Sequence, residues 1–279
     1  MQGEPGLKGR TVRVRSADAT FQHADVLKRN RVRRQQCRAF VVEGVRPIER
    51  LLAAGWEVES LWWCPDRPLS RWARGVVERA RAPRHYHLTP ALMAELSDKE
   101  DTSEILAIAR MPPEDTGRIA WRPELVALAF DRPSSPGNLG TLVRSADAMG
   151  AHGVIVTGHA ADPYDPRAIR ASLGSLFTLP LVRLAGAARL AEWLAALPAR
   201  PTVVGTDSGG EVDLCEAELR PPLVLVAGNE AAGMSRGMRD LCDLVVRVPV
   251  EGSADSLNVT VATSIALYEI RRQRGAGLP

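Results

Sequence analysis

The sequence is poor in cysteine, histidine and aromatic residues, and these shortages exclude several kinds of site. Its four cysteines are scattered without a C-x-x-C spacing, which argues against a zinc knuckle or a redox pair and favours reduced thiols. Among the five histidines only His85 and His87 lie close together, and no third ligand is near them in the sequence. We therefore expect no metal site.

Long hydrophobic runs and the common nucleotide-binding signatures are also missing. No apolar run approaches the roughly 20 residues that span a bilayer, and the first residues contain no apolar segment of the secretory type. No G-x-G-x-x-G follows a predicted strand, and no G-x-x-x-x-G-K-[ST] occurs. The sequence thus predicts a cytoplasmic protein without a membrane segment, and neither an ordinary dinucleotide fold nor a P-loop.

Positive charge is concentrated at the start of the chain, although the formal net charge is only +3. Residues 1–50 contain twelve Lys and Arg against five Asp and Glu. Such a cluster predicts a polyanionic partner, because Lys and Arg that neutralise phosphates release condensed counterions. A merely solvated basic helix is the alternative. The candidate phosphate-binding residues in this region are Arg29, Arg33, Arg34 and Arg38.

Alternating strand and helix patterns predict an α/β protein of two domains. We expect residues 1–18 to form a flexible basic arm, residues 19–112 a compact α/β/α module, and residues 113–122 a linker that begins with a proline and two acidic residues. The alternation continues over residues 123–279. Continuous apolar runs there, such as residues 125–130, indicate a parallel sheet covered by helices.

Several predicted strands of the second domain end in glycine or turn residues. Gly205-Thr206, Gly228-Asn229-Glu230 and Val248-Pro249 each follow an apolar run, and Ser256-Leu257-Asn258 precedes the last predicted helix. Parallel sheets bind ligands at the carboxyl ends of their strands. We therefore expect these loops to meet in one site.

Three segments of the second domain carry a more specific resemblance. SPGNLGTLVRSADAMGAHGVIV, LVLVAGNEAAGMS and VRVPVEGSADSLNVTVATSIALYE resemble, in order and spacing, the three motifs of the SpoU branch of the SPOUT RNA methyltransferases. RRQQCRAFVVEGVRPIERLL is similar to the ribosomal-protein-like RNA-binding domain that precedes many of these enzymes. The resemblance implies a deep trefoil knot in the parallel-sheet domain and a homodimer whose active site uses both chains.

The resemblance also implies methyl transfer from S-adenosyl-L-methionine to a ribose 2′-hydroxyl of RNA, with a role for individual residues. The residues at the family's catalytic positions are Asn138, Arg144, Glu230, Ser256 and Asn258. Those at its cofactor-binding positions are Gly205, Thr206, Gly228, Asn229, Val248, Pro249 and Leu257. Arg167 and Arg170 match positions near the RNA or the partner's site, and they join the basic residues above as candidate RNA contacts.

Alternatives remain for these residues. Arg144 resembles the arginine assigned to proton removal, but its very high pKa leaves phosphate or hydroxyl positioning equally open. Taken singly, Asn138, Ser256 and Asn258 are typical of helix caps and turns, and Glu230 is typical of a solvated acid in a first helical turn. Their joint occurrence in three ordered motifs favours the catalytic interpretation.

The substrate is specified less closely than the reaction. The segments DRPSSPGNLG, AHGVIVTGHAADPYDPRAIRAS and GSLFTLP are most similar to family members that methylate 23S ribosomal RNA and confer antibiotic resistance. A transfer-RNA 2′-O-methyltransferase of the same fold and a non-catalytic RNA-binding or ribosome-assembly protein are the alternatives. The sequence does not identify the target nucleotide, because RNA is recognised through its shape. It also leaves resistance and housekeeping roles open.

Overall fold

The structure, a computed structural model, describes residues 9–97, 101–253 and 255–275. The chain divides into two compact units. The N-terminal unit comprises residues 1–112 together with residues 164–178, and the C-terminal unit comprises residues 113–163 and 179–279.

The strands and helices alternate along the described chain, as the sequence patterns predict. The strands are β1 (Arg10–Val14), β2 (Ala39–Glu43), β3 (Val58–Trp63), β4 (Arg84–Leu88), β5 (Ile105–Arg110), β6 (Val126–Asp131), β7 (Gly153–Thr157), β8 (Leu181–Leu184), β9 (Thr202–Thr206), β10 (Val212–Asp213), β11 (Leu223–Ala227) and β12 (Leu244–Arg247). The α-helices are α1 (Ala19–Arg29), α2 (Arg31–Cys37), α3 (Val45–Ala53), α4 (Arg71–Arg79), α5 (Pro90–Leu96), α6 (Pro136–Ala148), α7 (Pro166–Ser172), α8 (Ser175–Thr178), α9 (Ala187–Ala195), α10 (Arg236–Arg239) and α11 (Val259–Gln273).

The N-terminal unit contains a five-stranded sheet in the order β1-β4-β3-β5-β2. Its edge strand β1 pairs in parallel with β4 and buries Val14, so the prediction of a flexible arm is wrong for residues 10–14. An edge strand needs ladder bonds on one side only, and one buried valine fixes which face points inward. Residues 1–8 of the predicted arm lie outside the described residues.

Residues 164–178 pack on the N-terminal unit through aromatic contacts. The ring of Tyr164 lies 4.6 Å from that of Phe40, and the rings of Phe177 and Trp56 meet edge to face at 5.2 Å. The indole N–H of Trp56 also donates to the Phe177 carbonyl oxygen at 3.0 Å. Helices α7 and α8 thus share a core with residues that precede them by more than a hundred positions.

The C-terminal unit contains a seven-stranded sheet in the order β10-β12-β9-β11-β6-β7-β8, and every recorded strand pairing in it is parallel. Strands β6, β7 and β11 are buried along their whole length, as a parallel sheet covered on both faces requires. Helix α11 packs on α6, where the hydroxyls of Ser264 and Ser145 are 2.8 Å apart. The predicted parallel sheet is confirmed.

The predicted linker is folded onto the C-terminal unit. Ile119 is buried in the core of that unit, and the Arg183 guanidinium donates to the Glu114 carboxylate at 2.6 Å. A short 3₁₀ turn at Thr116–Arg118 lies between these two contacts. The domain boundaries and the trefoil knot stay predictions.

Candidate active site

A pocket of about 240 Å³ opens at the carboxyl ends of three neighbouring strands, β9, β11 and β12. The loops that follow these strands and the start of α11 form its walls. Its lining residues are Thr206, Asp207, Ser208, Gly228, Asn229, Glu230, Ala231, Gly233, Val246, Val248, Val250, Ser256, Leu257, Val259 and Ala262. The predicted convergence of the strand ends is therefore found in the structure.

Gly228 shapes the central wall, because the loop that follows β11 folds back onto it. A Cβ at this position would lie 2.4 Å from the backbone carbon of Gly233 and 2.4 Å from the backbone nitrogen of Met234. The fold-back is closed by two backbone hydrogen bonds between Asn229 and Gly233, of 2.9 and 3.0 Å. Only glycine permits so close an approach of two backbone segments.

Five of the seven residues predicted to bind a cofactor line the pocket. Thr206, Gly228, Asn229, Val248 and Leu257 line the pocket.

Gly205 and Pro249 are not among the lining residues. Gly205 is buried behind the wall, where an added Cβ would lie 2.8 Å from Met234 Cε and 2.9 Å from Cys242 Sγ. Burial raises the pKa of the Cys242 thiol to about 11, so this cysteine stays protonated at neutral pH.

Glu230 organises a hydrogen-bond cluster beside the pocket. One carboxylate oxygen accepts from the backbone N–H and the hydroxyl of Ser134, at 2.9 and 2.8 Å. The other accepts from the backbone N–H of Ser135 and from the Asn138 side-chain amide, both at 3.1 Å. Burial alone would raise the pKa of Glu230, but the hydrogen bonds from Ser134 and Asn138 outweigh it and hold the pKa below its usual range.

The cluster limits what Glu230 can do. Its partners are two backbone N–H groups, a hydroxyl and the side-chain amides of Asn138 and Asn229. Both carboxylate oxygens are thus occupied. Glu230 fixes the amide of Asn138 and is poorly suited to act as a base.

Asn229 and Asp131 brace the same loop from inside. The Asn229 side chain accepts from the N–H groups of Ala231 and Ala232 and donates to the Arg132 carbonyl at 2.7 Å. Asp131 is buried and accepts from the Thr157 hydroxyl at 2.9 Å and from the Ser235 N–H at 2.7 Å. Asp131 was not among the predicted site residues, although an acid at the end of an apolar run was the available signal.

Ser256 and Asn258 stand at the entry to α11. Ser256 lines the pocket. Asn258 is the N-cap of α11, and its side-chain oxygen accepts from the Thr260 N–H at 2.9 Å. The capping role that the sequence left as an alternative is therefore present in the structure, and a catalytic role of the Asn258 amide stays a prediction.

Arg144 lies apart from the pocket walls. It is exposed on α6 and is not among the lining residues. On the same side of α6, one turn earlier, Thr141 borders a shallow apolar groove with Val261, Ile265 and Tyr268 of α11. Arg144 thus faces away from the core of its own chain, next to an apolar surface.

The basic run of α1 and α2 is only partly available to a partner. Arg34 is buried, and one of its guanidinium nitrogens donates to the carbonyls of Leu27 and Lys28 at 3.1 and 2.9 Å. The Arg34 side chain also lies 3.6 Å from the Asp165 carboxylate. The expectation that Arg34 contacts RNA is therefore wrong, since its side chain satisfies the carbonyls at the end of α1.

The other predicted RNA contacts are exposed. Arg29 forms an ion pair with Asp25 at 2.8 Å, and Arg33 donates to the side chain of Gln36 at 3.2 Å. Arg38 is exposed and donates to the Pro112 carbonyl.

Arg167 and Arg170 are exposed on α7. The side chain of Arg167 makes two hydrogen bonds to Asp165, of 3.0 and 3.2 Å.

Within residues 9–97, 101–253 and 255–275, no group of three or more His, Cys, Asp and Glu side chains could hold a metal ion. Over the same described ranges, no helix is both long and apolar enough to cross a membrane.

Comparisons with known proteins match both parts of the chain to SpoU-related families. Residues 125–268 match the SpoU rRNA Methylase family, and residues 18–107 match the SpoU L30e-like domain. The chain is 43% identical over 269 residues, 95% of this chain and 93% of the relative, to the 23S rRNA (uridine(2479)-2′-O)-methyltransferase of Streptomyces viridochromogenes.

Two solved structures show the same architecture over nearly the whole chain. The SpoU methyltransferase AviRb from Streptomyces viridochromogenes, in complex with AdoMet (S-adenosyl-L-methionine), matches with a TM-score of 0.88 at 43% identity and covers 94% of this chain and 100% of its own. An AdoMet-bound rRNA methyltransferase from Sinorhizobium meliloti matches with a TM-score of 0.83 at 28% identity, with coverages of 95% and 98%. The predicted two-part α/β architecture is confirmed, and the chain belongs to the SpoU rRNA methylase family.

Proposed function

We propose that this protein transfers a methyl group from S-adenosyl-L-methionine to a ribose 2′-hydroxyl of RNA, and that its substrate is 23S ribosomal RNA. One observation carries the proposal. The pocket at the ends of β9, β11 and β12 adjoins the Glu230 cluster, in a chain 43% identical over nearly its full length to a 23S rRNA 2′-O-methyltransferase.

The pocket suits this cofactor. Val248, Leu257 and Ala262 offer an apolar surface for a purine ring, while Thr206 and the backbone around Asn229 offer polar groups. The volume of about 240 Å³ lies just below the range for small-molecule sites, which is roughly 300–1,000 Å³. When bound, the cofactor supplies an electrophilic methyl group on its sulfonium.

The protein groups beside the pocket serve alignment. Methyl transfer to a ribose hydroxyl needs the oxygen held in line and its proton removed. Glu230 holds the Asn138 amide in one orientation, so Asn138 can position the ribose with its remaining hydrogen-bonding groups. Arg144 is the candidate for proton removal or for phosphate positioning.

We also propose a homodimer, which the position of Arg144 and the apolar face beside it support. Val261, Ile265 and Tyr268 are large apolar side chains that are 47%, 38% and 43% exposed on α11. A second copy of the chain that covers this face would place Arg144 at the interface, where it can reach the partner's pocket. The trefoil knot belongs to the same proposal, because it would bring the chain after β12 back to the strand ends.

The exposed arginines of the N-terminal unit give the proposed substrate a phosphate-binding surface. Arg29, Arg33, Arg38, Arg167 and Arg170 are the exposed candidates. Each phosphate contact contributes to a steep dependence of RNA affinity on salt. Since ribosomal RNA is the proposed substrate, we propose a cytoplasmic site of action.

Mapping the methylated nucleotide tests the proposal. Purified protein is incubated with methyl-labelled S-adenosyl-L-methionine and, in parallel, with 23S rRNA or bulk transfer RNA, and the 2′-O-methyl position is located by primer extension at low nucleotide concentration. Label at one 23S rRNA ribose is the expected result. Label found only in transfer RNA would show that the substrate is transfer RNA and not 23S rRNA. If calorimetry detected no cofactor binding, the protein would instead be a non-catalytic RNA-binding protein.

A role in resistance is tested separately. Expression of the protein in a host that lacks it should raise the inhibitory concentration of an antibiotic that binds the large ribosomal subunit at the methylated nucleotide. An unchanged inhibitory concentration, with the nucleotide fully methylated, would favour a housekeeping role.

A further inference from the structure

Arg132, the residue that follows β6, has a left-handed backbone conformation with φ of +52°. This region is unfavourable for residues that carry a Cβ, and such residues are often functional. Among the described residues it is shared by two other non-glycine residues, Arg38 and Leu173. Arg38 and Leu173 are both helix C-caps, where left-handed residues are common, but Arg132 follows a strand.

The conformation of Arg132 is imposed from both sides. Its N–H donates to the Thr157 carbonyl at 3.0 Å, and its own carbonyl accepts from the Asn229 amide at 2.7 Å. The neighbouring residue Asp131 is fixed in turn by Thr157 and Ser235. These contacts set the direction in which the Arg132 side chain leaves the backbone.

The side chain lies in a fitted cradle. Its Nε donates to the buried Asp131 carboxylate at 3.2 Å, and one Nη donates to the Gly233 carbonyl at 3.2 Å. Gly158 makes room for the aliphatic stem, because a Cβ on Gly158 would lie 2.8 Å from Arg132 Cγ. The guanidinium is thus held rigidly against the loop that also carries Glu230.

The cradle uses only part of the guanidinium. An arginine side chain has five N–H donors, and two of them are used by Asp131 and Gly233. The side chain is 36% exposed, and the described residues provide no recorded partner for the other three donors. A fixed guanidinium fork with outward N–H groups matches the geometry of a phosphate.

Arg132 is separated from the cofactor pocket. It is not among the residues that line the pocket, whereas Glu230 and Gly233 of the loop it contacts are. Arg132 precedes Ser134 by two residues, and Ser134 and Asn138 both donate to Glu230. Arg132 and Asn138 therefore flank the same contact between the segment after β6 and the loop after β11. A nucleic acid that approaches Asn138 also approaches the segment that carries Arg132.

We propose that Arg132 binds a backbone phosphodiester of the RNA substrate close to the ribose that is methylated. The inference rests on the proposed function and adds a phosphate site to it. Glycine would adopt the left-handed conformation without steric cost, so the feature that arginine adds at this position is the outward donors of its side chain.

Two variants separate phosphate binding from support of the loop. Arg132→Gly keeps the left-handed backbone and removes the guanidinium, and Arg132→Lys keeps the charge but loses the fork. Arg189→Gln is the matched control, because Arg189 is exposed on α9 and pairs only with Glu192 of the same helix among the described residues. Thermal unfolding and calorimetry with S-adenosyl-L-methionine show that each variant is folded and binds the cofactor.

The readout is the dissociation constant for a 23S rRNA fragment, measured at several KCl concentrations, with the single-turnover methylation rate. We expect Arg132→Gly to weaken RNA binding about tenfold and to lower the slope of log K against log salt by about one, with cofactor affinity within about twofold of wild type. The RNA affinity of Arg132→Lys should lie between those of Arg132→Gly and wild type, and the RNA affinity of Arg189→Gln should match wild type.

Distinct outcomes contradict the two proposals. If wild type methylates the RNA and Arg132→Gly keeps its RNA affinity and salt slope, the phosphate site is wrong and the proposed function stands. If Arg132→Gly loses cofactor affinity but not the salt slope, Arg132 only braces the loop, which also overturns the inference. If wild type shows no methylation although Arg132→Gly weakens RNA binding, the phosphate site stands and the proposed function fails.

Discussion

At the scale of single residues, the site depends on side chains that hold other groups in place. Glu230 is the clearest example, because its carboxylate accepts four hydrogen bonds from Ser134, Ser135 and Asn138. Such bonds to a charged group contribute about 1.5–3 kcal/mol each. An amide in place of the carboxylate would bring its own N–H donors against the donors of Ser134, Ser135 or Asn138.

We therefore expect Glu230→Gln to lower the single-turnover rate of methyl transfer by roughly 10- to 100-fold, the equivalent of one lost charged hydrogen bond. Cofactor affinity should change less, because the main loss is in the orientation of Asn138. Glu192→Gln is the control, since Glu192 is exposed on α9. A Glu230→Gln rate within twofold of wild type would contradict the orienting role.

The same substitution has a predictable pH dependence. Because the pKa of Glu230 is lower in the folded protein than its ordinary value of 4.5, its carboxylate stabilises the fold above that value. This stabilisation is lost as pH falls from about 4.5 through the folded pKa. The difference in urea-unfolding free energy between wild type and Glu230→Gln should therefore stay constant above about pH 5 and shrink as pH falls below about 4.5, and a difference that stays constant there would oppose this account.

Gly228 contributes through the lack of a side chain, because the loop after β11 occupies the space where a Cβ would lie. Gly228→Ala would push a Cβ against backbone atoms of Gly233 and Met234, which cannot rotate away. We expect a loss of about 1–3 kcal/mol in unfolding free energy, typical of overpacking, and at least tenfold weaker cofactor binding by calorimetry. Gly75→Ala is the matched control, since nothing lies within 4 Å of a Cβ there. It should leave both quantities unchanged or stabilise slightly.

At the scale of secondary-structure elements, the start of α11 combines a structural and a proposed catalytic role in one side chain. Asn258 caps the helix through its side-chain oxygen. Its amide nitrogen is the group that could contact the ribose. The two roles are separable by substitution.

Asn258→Ala should cost about 1 kcal/mol of stability, the usual value of a lost N-cap, together with activity. Asn258→Ser keeps a capping oxygen but has no amide, so its stability in urea unfolding should return to near wild type. If the amide positions the ribose, the methylation rate of Asn258→Ser stays low. A rate that recovers along with stability would show that Asn258 acts only as a cap.

The elements were largely predictable, but several contacts were not. The buried runs that form β6 and β11 predicted strands and placed Glu230 at a strand end, because burial on both faces leaves a continuous apolar pattern. The partners of Glu230 lie about 95 positions earlier in the chain, and no local pattern encodes them.

The basic run shows why local charge is an incomplete guide. In this run Val32 is 61% exposed, whereas Arg34 is 2% exposed. Carbonyls at the end of a helix need donors, and Arg34 supplies them to the end of α1. A sequence pattern shows the charge of a side chain, but it does not show which backbone groups require it.

At the scale of the whole molecule, the proposed homodimer would build each active site from two chains. The pocket of one chain is lined without Arg144, which lies beside the exposed apolar side chains of α11. Covering those side chains would also remove an exposed apolar surface from water. Dimer formation and activity should therefore be lost together.

We expect Ile265→Glu, on the exposed face of α11, to shift the protein from dimer to monomer in light scattering and to lower methylation at least 100-fold. The buried charge would cost several kcal/mol at an interface. Val45→Glu is the control, because Val45 is exposed on another helix, α3. A fully active Ile265→Glu monomer would show that Arg144 serves its own chain or is dispensable.

Residues 164–178 carry a consequence for how this protein can be recombined with its relatives. They lie within the methylase-matching region of the chain but share the aromatic core of the N-terminal unit through Tyr164 and Phe177. A chimaera joined near residue 112 would pair the Phe40 and Trp56 of one parent with the α7 and α8 of the other. The N-terminal unit is therefore discontinuous in sequence. A chimaera that exchanges this unit must exchange residues 1–112 and residues 164–178 together.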